Sequence, residues 1–139
     1  MRFAVPNNCP ESLFSKVKAY ISSFELDDRA LQQKEFLVLA KNEDLFAFGR
    51  LRHHQHCDEL CSIGVIEEAR HIGLASKLIK ALIAEAKQPL YLVSIIPSFF
   101  ESLGFEICNE YPQEIKEKLN YCTSSLVVPE PYVVMRLKA

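Results

Sequence analysis

No apolar run in this chain approaches the about 20 residues that a membrane-spanning helix needs, so the sequence offers no transmembrane segment. The opening residues Met1-Arg2-Phe3-Ala4-Val5-Pro6 lack the apolar stretch of a secretory signal, and a cytoplasmic location is the expectation. An excess of charge is missing too. Lys and Arg number 16 against 18 Asp and Glu, a formal charge of −2, which gives no bulk reason to expect nucleic acid or an acidic membrane surface as a partner. The five cysteines, Cys9, Cys57, Cys61, Cys108 and Cys122, contain no Cys-x-x-Cys pair; an odd number suits reduced thiols better than a disulfide framework. Internal repeats and low-complexity stretches are absent. What is present is a chain of 139 residues with 49% hydrophobic and 24% charged residues, which are globular averages. A chain of this size buries roughly 68–70% of its unfolded surface and is too short for two ordinary domains, so one domain over residues 1–139 is expected.

Periodicity divides the chain into alternating helices and strands. Arg2 to Val5 reads as a short strand ended by Pro6. Asn8-Cys9-Pro10-Glu11 reads as a helix start, with Asn8 or Cys9 near the cap. Leu13, Phe14, Val17, Ile21 and Phe24 recur at helical spacing, which predicts an amphipathic helix over Glu11 to Phe24. Strands are predicted over 35–41 and 45–52, joined by the turn residues Asn42-Glu43-Asp44. Gly49 within the second of them signals a bulge or a close approach of another backbone. Arg50 and Arg52 share a face of that strand, either solvated or available to clamp a carboxylate. Asp27, Asp28 and Arg29 after the first helix read as a solvated cap, and a family resemblance carried further along the chain adds the alternative that they face substrate. His53-His54-Gln55-His56-Cys57 has zinc-ligand residue types. Its spacing matches no established ligand pattern, and strand alternation puts at best His54 and His56 on one face, so no metal is expected. A histidine here as proton carrier is a separate reading, because free imidazole titrates at about 6.5.

The stretch from Glu59 to Phe105 carries the chemistry. Leu60 to Ile66 is an apolar strand, followed by a short charged turn, Gly73, and an amphipathic Pro-free run to Lys87. The first turn of a helix has backbone N–H groups without intrahelical partners and the positive end of the macrodipole, so this arrangement suits an anion such as a phosphate. Gly73 allows close approach of a bulky ligand, and Arg70 and His71 flank the mouth as donors to a diphosphate. Ala75, Leu78, Ile79, Leu82 and Ala86 form the helix's apolar stripe. A second apolar strand, Leu90 to Ile96, is apolar on both faces and reads as buried in mid-sheet. Pro97-Ser98-Phe99-Phe100-Glu101-Ser102-Leu103-Gly104-Phe105 follows it. A sixth strand is predicted from Glu106, a polar helical segment over Tyr111 to Cys122, and a last strand over Tyr132 to Leu137.

Arg70, Gly73 and Ala75, with Val65 ending the strand before them, resemble the acyl-CoA-binding motif of the GNAT superfamily of N-acetyltransferases. Phe99-Phe100-Glu101-Ser102-Leu103-Gly104-Phe105 resembles the second signature of that superfamily. The resemblance implies an α/β (α+β) fold with a mixed, splayed central β-sheet flanked by helices. It implies acetyl-CoA as cosubstrate, with its pantetheine arm bonded to backbone at Ile63 and Val65. Arg70, His71, Gly73, Leu74, Ala75 and Phe99 complete the acetyl-CoA site it implies. Glu59 corresponds to the acidic residue that removes a proton from the substrate amine, directly or through water; a plain exposed carboxylate at a strand start is the other reading. Many members have tyrosine at the position of Phe100 as the acid for the leaving thiolate, and Phe100 has no hydroxyl. Ser94, Ser98, Tyr111, Tyr121 or water are the available substitutes.

The segment Pro112-Gln113-Glu114-Ile115-Lys116-Glu117-Lys118, then Cys122 and a terminal Val133-Val134-Met135 strand, loosely resembles the amino-acid N-acetyltransferases of the superfamily. That implies a small amine carrying a carboxylate as acceptor, with Arg50, Arg52 or Arg136 to bind the carboxylate. The expected function is acetyl transfer from acetyl-CoA to a primary amine of a small molecule by direct attack, without a metal, in a monomer or a homodimer. A non-catalytic acyl-CoA-binding sensor or partner subunit is the alternative, and a scaffold with an empty site is a third.

Overall fold

The computed structural model describes residues 6–125 and 128–138. The predicted strand over Arg2 to Val5 lies outside the described residues. In chain order the elements are β1 (Pro6–Asn8), α1 (Glu11–Ser23), β2 (Phe36–Lys41), β3 (Asp44–His53), β4 (Asp58–Val65), α2 (Leu74–Glu85), β5 (Leu90–Ser94), α3 (Pro97–Glu101), β6 (Phe105–Ile107), α4 (Gln113–Ser125) and β7 (Val133–Leu137). Single 3-10 turns precede β2 and α2, at Gln33–Glu35 and Glu67–Ala69. The strands form an open, mixed seven-stranded sheet in the order β1-β2-β3-β4-β5-β7-β6. Pro6 belongs to the first strand rather than ending it. The cap of α1 is Pro10, with no side-chain hydrogen bond, one or two residues later than the predicted Cys9 or Asn8.

The chain forms two compact units, Met1–Leu51 with Ser62–Glu85, and Arg52–Cys61 with Ala86–Ala139. In the first unit, β1 pairs antiparallel with β2 and β2 with β3, from Phe36↔Arg50 to Lys41↔Asp44. The bulge in this hairpin lies between Leu39 and Ala40, not at Gly49. Gly49 serves the other purpose its position signalled, a close approach. A Cβ there would stand 2.8 Å from Leu82 Cδ1 and 3.3 Å from Leu78 Cδ2, so α2 lies tight against β3. The buried face of α1, Leu13, Val17 and Ile21, recurs every fourth residue and packs on Phe36, Val38, Leu45 and Phe48.

Gly64 is a second tight position in this unit. A Cβ added there would overlap the Phe48 ring. Phe48 is fully buried and stacked at 6.4 Å on Phe24, so it has little room to retreat. Gly64→Ala should therefore destabilise the fold by about 2 kcal/mol through overpacking. A urea midpoint unchanged from the wild type would contradict that packing.

In the second unit, the register of β4 with β5 is parallel and comprises Asp58↔Leu90 and Glu59↔Tyr91. β5 pairs antiparallel with β7 from Tyr91↔Arg136 to Ser94↔Val133, and β6 pairs with β7 from Phe105↔Leu137 to Ile107↔Met135. The core here is Cys57, Tyr91, Ile115 and Val134. Among the described residues, no helix is long and apolar enough to cross a membrane. All five cysteines are free thiols. Burial, then the negative charges of Glu114, Glu59 and Asp58, push the Cys57 thiol up to about 12, which keeps it protonated and inert.

Candidate acyl-CoA and proton-transfer site

The turn between β4 and α2 lies in the first unit, and its backbone is unusual at two positions. His71 has φ +67° and Gly73 φ +81°, both in the left-handed region. Glycine holds such a conformation at no steric cost, and a Cβ at Gly73 would meet no heavy atom within 4 Å. The glycine is thus required by its backbone angle and leaves open space beside it. Helix α2 begins at once with Leu74, so the unpartnered N–H groups of its first turn lie next to that space. Leu74 is buried and Ala75 half-buried. The Leu74 side chain therefore anchors the helix start, and what it can offer a ligand is main chain.

Arg70 is exposed but not loose. Its Nε donates to the Val65 carbonyl at 2.9 Å, and its guanidinium lies 5.3 Å from the centre of the Phe24 ring. The bond turns the arginine back onto the end of β4 while Nη1 and Nη2 make no hydrogen bond among the described residues. Those two nitrogens can meet a phosphate. Ile63 and Val65, on the same strand, are half-buried. Between the start of β4 and these two residues stands a feature that the sequence did not signal: Ser62 has φ +51°, a conformation uncommon in a non-glycine residue. Its hydroxyl donates to the Asp27 carbonyl at 2.7 Å.

That bond belongs to a network fixing the loop after α1. Asp27 is buried and bonds Arg29 through both carboxylate oxygens, at 3.0 and 2.9 Å, rather than forming a solvated cap. Arg50 is fully buried, so the predicted solvated face is wrong for it. It donates to Glu35 from Nε and Nη2 at 3.0 and 2.7 Å, and to the carbonyls of Arg29 and Ala30 at 2.8 and 2.7 Å. With its fork committed to these groups, Arg50 is a strut of the loop and not a carboxylate clamp. Strand alternation put Arg50 and Arg52 on one face, but nothing local in the sequence showed that the loop would fold over Arg50.

The second unit holds the acidic residues at the start of β4. Glu59 is 1% exposed, which overturns the exposed-carboxylate reading. His54 Nε2 lies 2.8 Å from its Oε1, and Lys118 Nζ lies 3.0 Å from its Oε2. Burial works against the charged carboxylate, but the His54 hydrogen bond and the Lys118 charge outweigh it and hold Glu59 below the usual range. Its neighbour Asp58 is fully buried and accepts from the main-chain N–H groups of Lys87 and Gln88 at 2.7 and 3.2 Å, and from the Gln88 amide at 3.1 Å. His53 Nδ1 lies 2.6 Å away. Here too burial disfavours the charge and the donors prevail, so Asp58 sits below the ordinary carboxylate range.

Each of the three neighbouring histidines thus faces its own carboxylate, His53 with Asp58, His54 with Glu59 and His56 with Glu114. β3 ends at His53, so the alternation expected of residues 54–57 does not apply. Among the described residues, no three His, Cys, Asp or Glu side chains group as metal ligands.

The lowered carboxyls make stability pH-dependent. A group held below its unfolded value contributes stability above about pH 4–5 and loses it as pH falls through the folded value. The urea midpoint should therefore fall between pH 7 and pH 3, and fall less in Asp58→Asn. An Asp58→Asn variant with the wild-type pH slope would remove Asp58 from this role.

Comparison with known proteins decides the family. The sequence matches the Acetyltransferase (GNAT) family over residues 7–105. The chain belongs to that family. A search of curated proteins gave no match. Among solved structures, the GNAT chain resembles N-acetylglutamate synthase from Neisseria gonorrhoeae, complexed with coenzyme A and N-acetyl-glutamate. The TM-score is 0.76 at 17% identity, covering 99% of this chain and 36% of that one. It therefore spans about a third of the synthase chain. Rv2747 from Mycobacterium tuberculosis, in complex with CoA, is similar with a TM-score of 0.74 at 16% identity, over 97% of this chain and 99% of that one. Escherichia coli ElaA follows at 0.71 and 15%, over 98% and 100%. At these identities the likeness shows a common fold.

In the GNAT chain the second signature forms α3 and the start of β6. Phe100 is buried and meets Phe99 and Phe105 edge-on, at 5.1 and 5.9 Å, so it is a packing residue, whereas Phe99 is half-buried. Ser94, at the end of β5, is buried, and its oxygen accepts the Ile96 N–H at 2.9 Å. Lys118 was missed by the sequence reading. Its signal was available: with Ile115 and Cys122 it completes the buried stripe of α4, and a lysine on an apolar stripe needs a buried partner.

Proposed function

We propose that this GNAT chain is an acyl-CoA-dependent N-acyltransferase that moves an acetyl group from acetyl-CoA to a primary amine of a small molecule. The observation that carries the reading is the turn at the mouth of α2. There a left-handed Gly73 leaves open space beside free helix N–H groups and the two unengaged nitrogens of Arg70. In this assignment, the diphosphate is held by the main chain of Gly73, Leu74 and Ala75 together with Arg70 and His71. The β4 main chain at Ile63 and Val65 bonds the pantetheine arm, polarises the thioester carbonyl and stabilises the oxyanion, and Phe99 packs on the cosubstrate. Proton removal from the amine is assigned to Glu59 and the side chains bonded to it. The freed amine attacks the thioester directly and CoA leaves as thiolate.

Arg52 and Arg136 remain as partners for a carboxylate on the acceptor, now that Arg50 is committed. The synthase complex with coenzyme A and N-acetyl-glutamate supports an amino acid as that acceptor. The reaction is tested by CoA release with acetyl-CoA across free amino acids, polyamines, aminoglycosides and short peptides, alongside calorimetric binding of acetyl-CoA. Turnover confined to one amine class establishes the transferase and its substrate. Binding without turnover on any amine favours the sensor reading, and no binding rejects both.

A further inference from the structure

Glu59 is a poor final acceptor for an amine's proton. It is 1% exposed, one oxygen faces His54 at 2.8 Å, and the other faces the Lys118 ammonium at 3.0 Å. Protonating it would leave a buried ammonium facing a neutral acid, which is costly. His54 is differently placed. Its side chain is 15% exposed, and its main chain is fixed on both sides, the N–H to the Cys57 carbonyl at 2.8 Å and the carbonyl to the Gln88 amide at 2.8 Å.

An ionised carboxylate only accepts hydrogen bonds, so the Nε2 that faces Glu59 carries the ring's hydrogen. Nδ1 then presents a lone pair and makes no hydrogen bond among the described residues. Among the described residues, the charged group paired with the ring is Glu59 on β4, which in turn meets Lys118 on α4. The other two histidine–carboxylate pairs lack these features: the side chains of His53 and His56 are 50% and 64% exposed, and among the described residues no buried cation faces either partner carboxylate.

We propose that, in the transfer reaction inferred above and resting on it, His54 takes the proton of the acceptor amine on Nδ1, while Glu59, held by Lys118, is the positioning residue that fixes the ring. The N–H bond of the substrate ammonium breaks and its proton passes to Nδ1, directly or through one water. The nitrogen lone pair so released forms the bond to the thioester carbonyl carbon. The C–S bond breaks with its electron pair on sulfur, the second amine proton goes to the thiolate, and the imidazolium returns its proton to solvent. A carboxylate that orients an imidazole and fixes its tautomer is the physical logic of the hydrolytic triads, here with the carboxylate itself anchored by a buried lysine.

The test combines nitrogen-15 NMR of the histidine rings in the full chain with pH-rate profiles of the wild type, His54→Gln and Glu59→Gln on the best amine of the panel. Wild-type His54 should be the Nε2–H tautomer, and Glu59→Gln should lose that preference. His54→Gln, whose amide can still donate to Glu59, should lower kcat by about 10²–10⁴-fold. It should also alter the pH dependence of turnover and leave acetyl-CoA affinity unchanged. An Nδ1–H tautomer in the wild type overturns the proposal. So does a His54→Gln kcat within roughly threefold of the wild type. A wild type that binds acetyl-CoA yet acylates no amine overturns the transferase reading and this inference with it. Turnover indifferent to His54 overturns the inference alone.

Discussion

Gly73→Asp should weaken acetyl-CoA binding by at least about 100-fold, the equivalent of 2.7 kcal/mol, while the protein stays folded. Two effects act together. Gly73 has φ +81°, where an L-residue costs about 1–2 kcal/mol, so the turn relaxes toward another conformation. The new carboxylate also stands where the diphosphate is assigned, at the positive end of α2. Steric damage to the apoprotein is not expected, because nothing lies within 4 Å of the added Cβ. Gly73→Ala separates the two effects, since it carries the strain without the charge and should lose clearly less affinity. Calorimetry on both variants checks this. Wild-type affinity in Gly73→Asp would remove the diphosphate from this turn.

Glu59→Ala should destabilise the protein by about 3–5 kcal/mol, the range for breaking a buried ion pair by removing one partner. The penalty comes from Lys118, 5% exposed on α4, whose ammonium loses the carboxylate at 3.0 Å. Converting the lysine to a residue of similar volume without charge removes that cause. The double variant Glu59→Ala/Lys118→Met should therefore recover most of the loss, a coupling that a double-mutant cycle in urea measures. Strictly additive effects would show that the two side chains do not share one energetic unit. The same cycle bears on catalysis, because a stable double variant without turnover assigns the defect to chemistry rather than to folding.

Helix α1 and strand β3 show how much of the architecture is legible in the residues. Leu13, Val17 and Ile21 mark the buried face of α1 at four-residue spacing, and all three are buried. The run from Leu45 to Arg52, read as the second strand of a hairpin, forms β3. Short-range patterns of this kind encode which way a side chain faces, so these two elements follow within a residue or so. Pro6 shows the limit. A proline is tolerated in an edge strand, and β1 is at the edge of the sheet.

Arg50 and Glu59 mark where local reading stops. Both lie on the predicted strands, and the exposed reading of each is excluded only by burial, which depends on what the chain later lays over them. Arg50 is covered by the carbonyls of Arg29 and Ala30, and Glu59 by Lys118. Lys118 lies on α4, far along the chain from Glu59, and no spacing rule links the two.

By itself the sequence determined the order of the longer helices and strands and the strand–turn–helix around Arg70, Gly73 and Ala75. It could do so because turn chemistry, helix starts and strand periodicity are set by residues within one or two turns of each other. Only the tertiary structure decided which polar groups became partners: Arg50 as the strut of the loop after α1, Ser62 left-handed within β4, and Glu59 closed between His54 and Lys118. Those outcomes rest on contacts between segments distant in sequence, where burying a charge is tolerable only if a specific opposite group arrives with it.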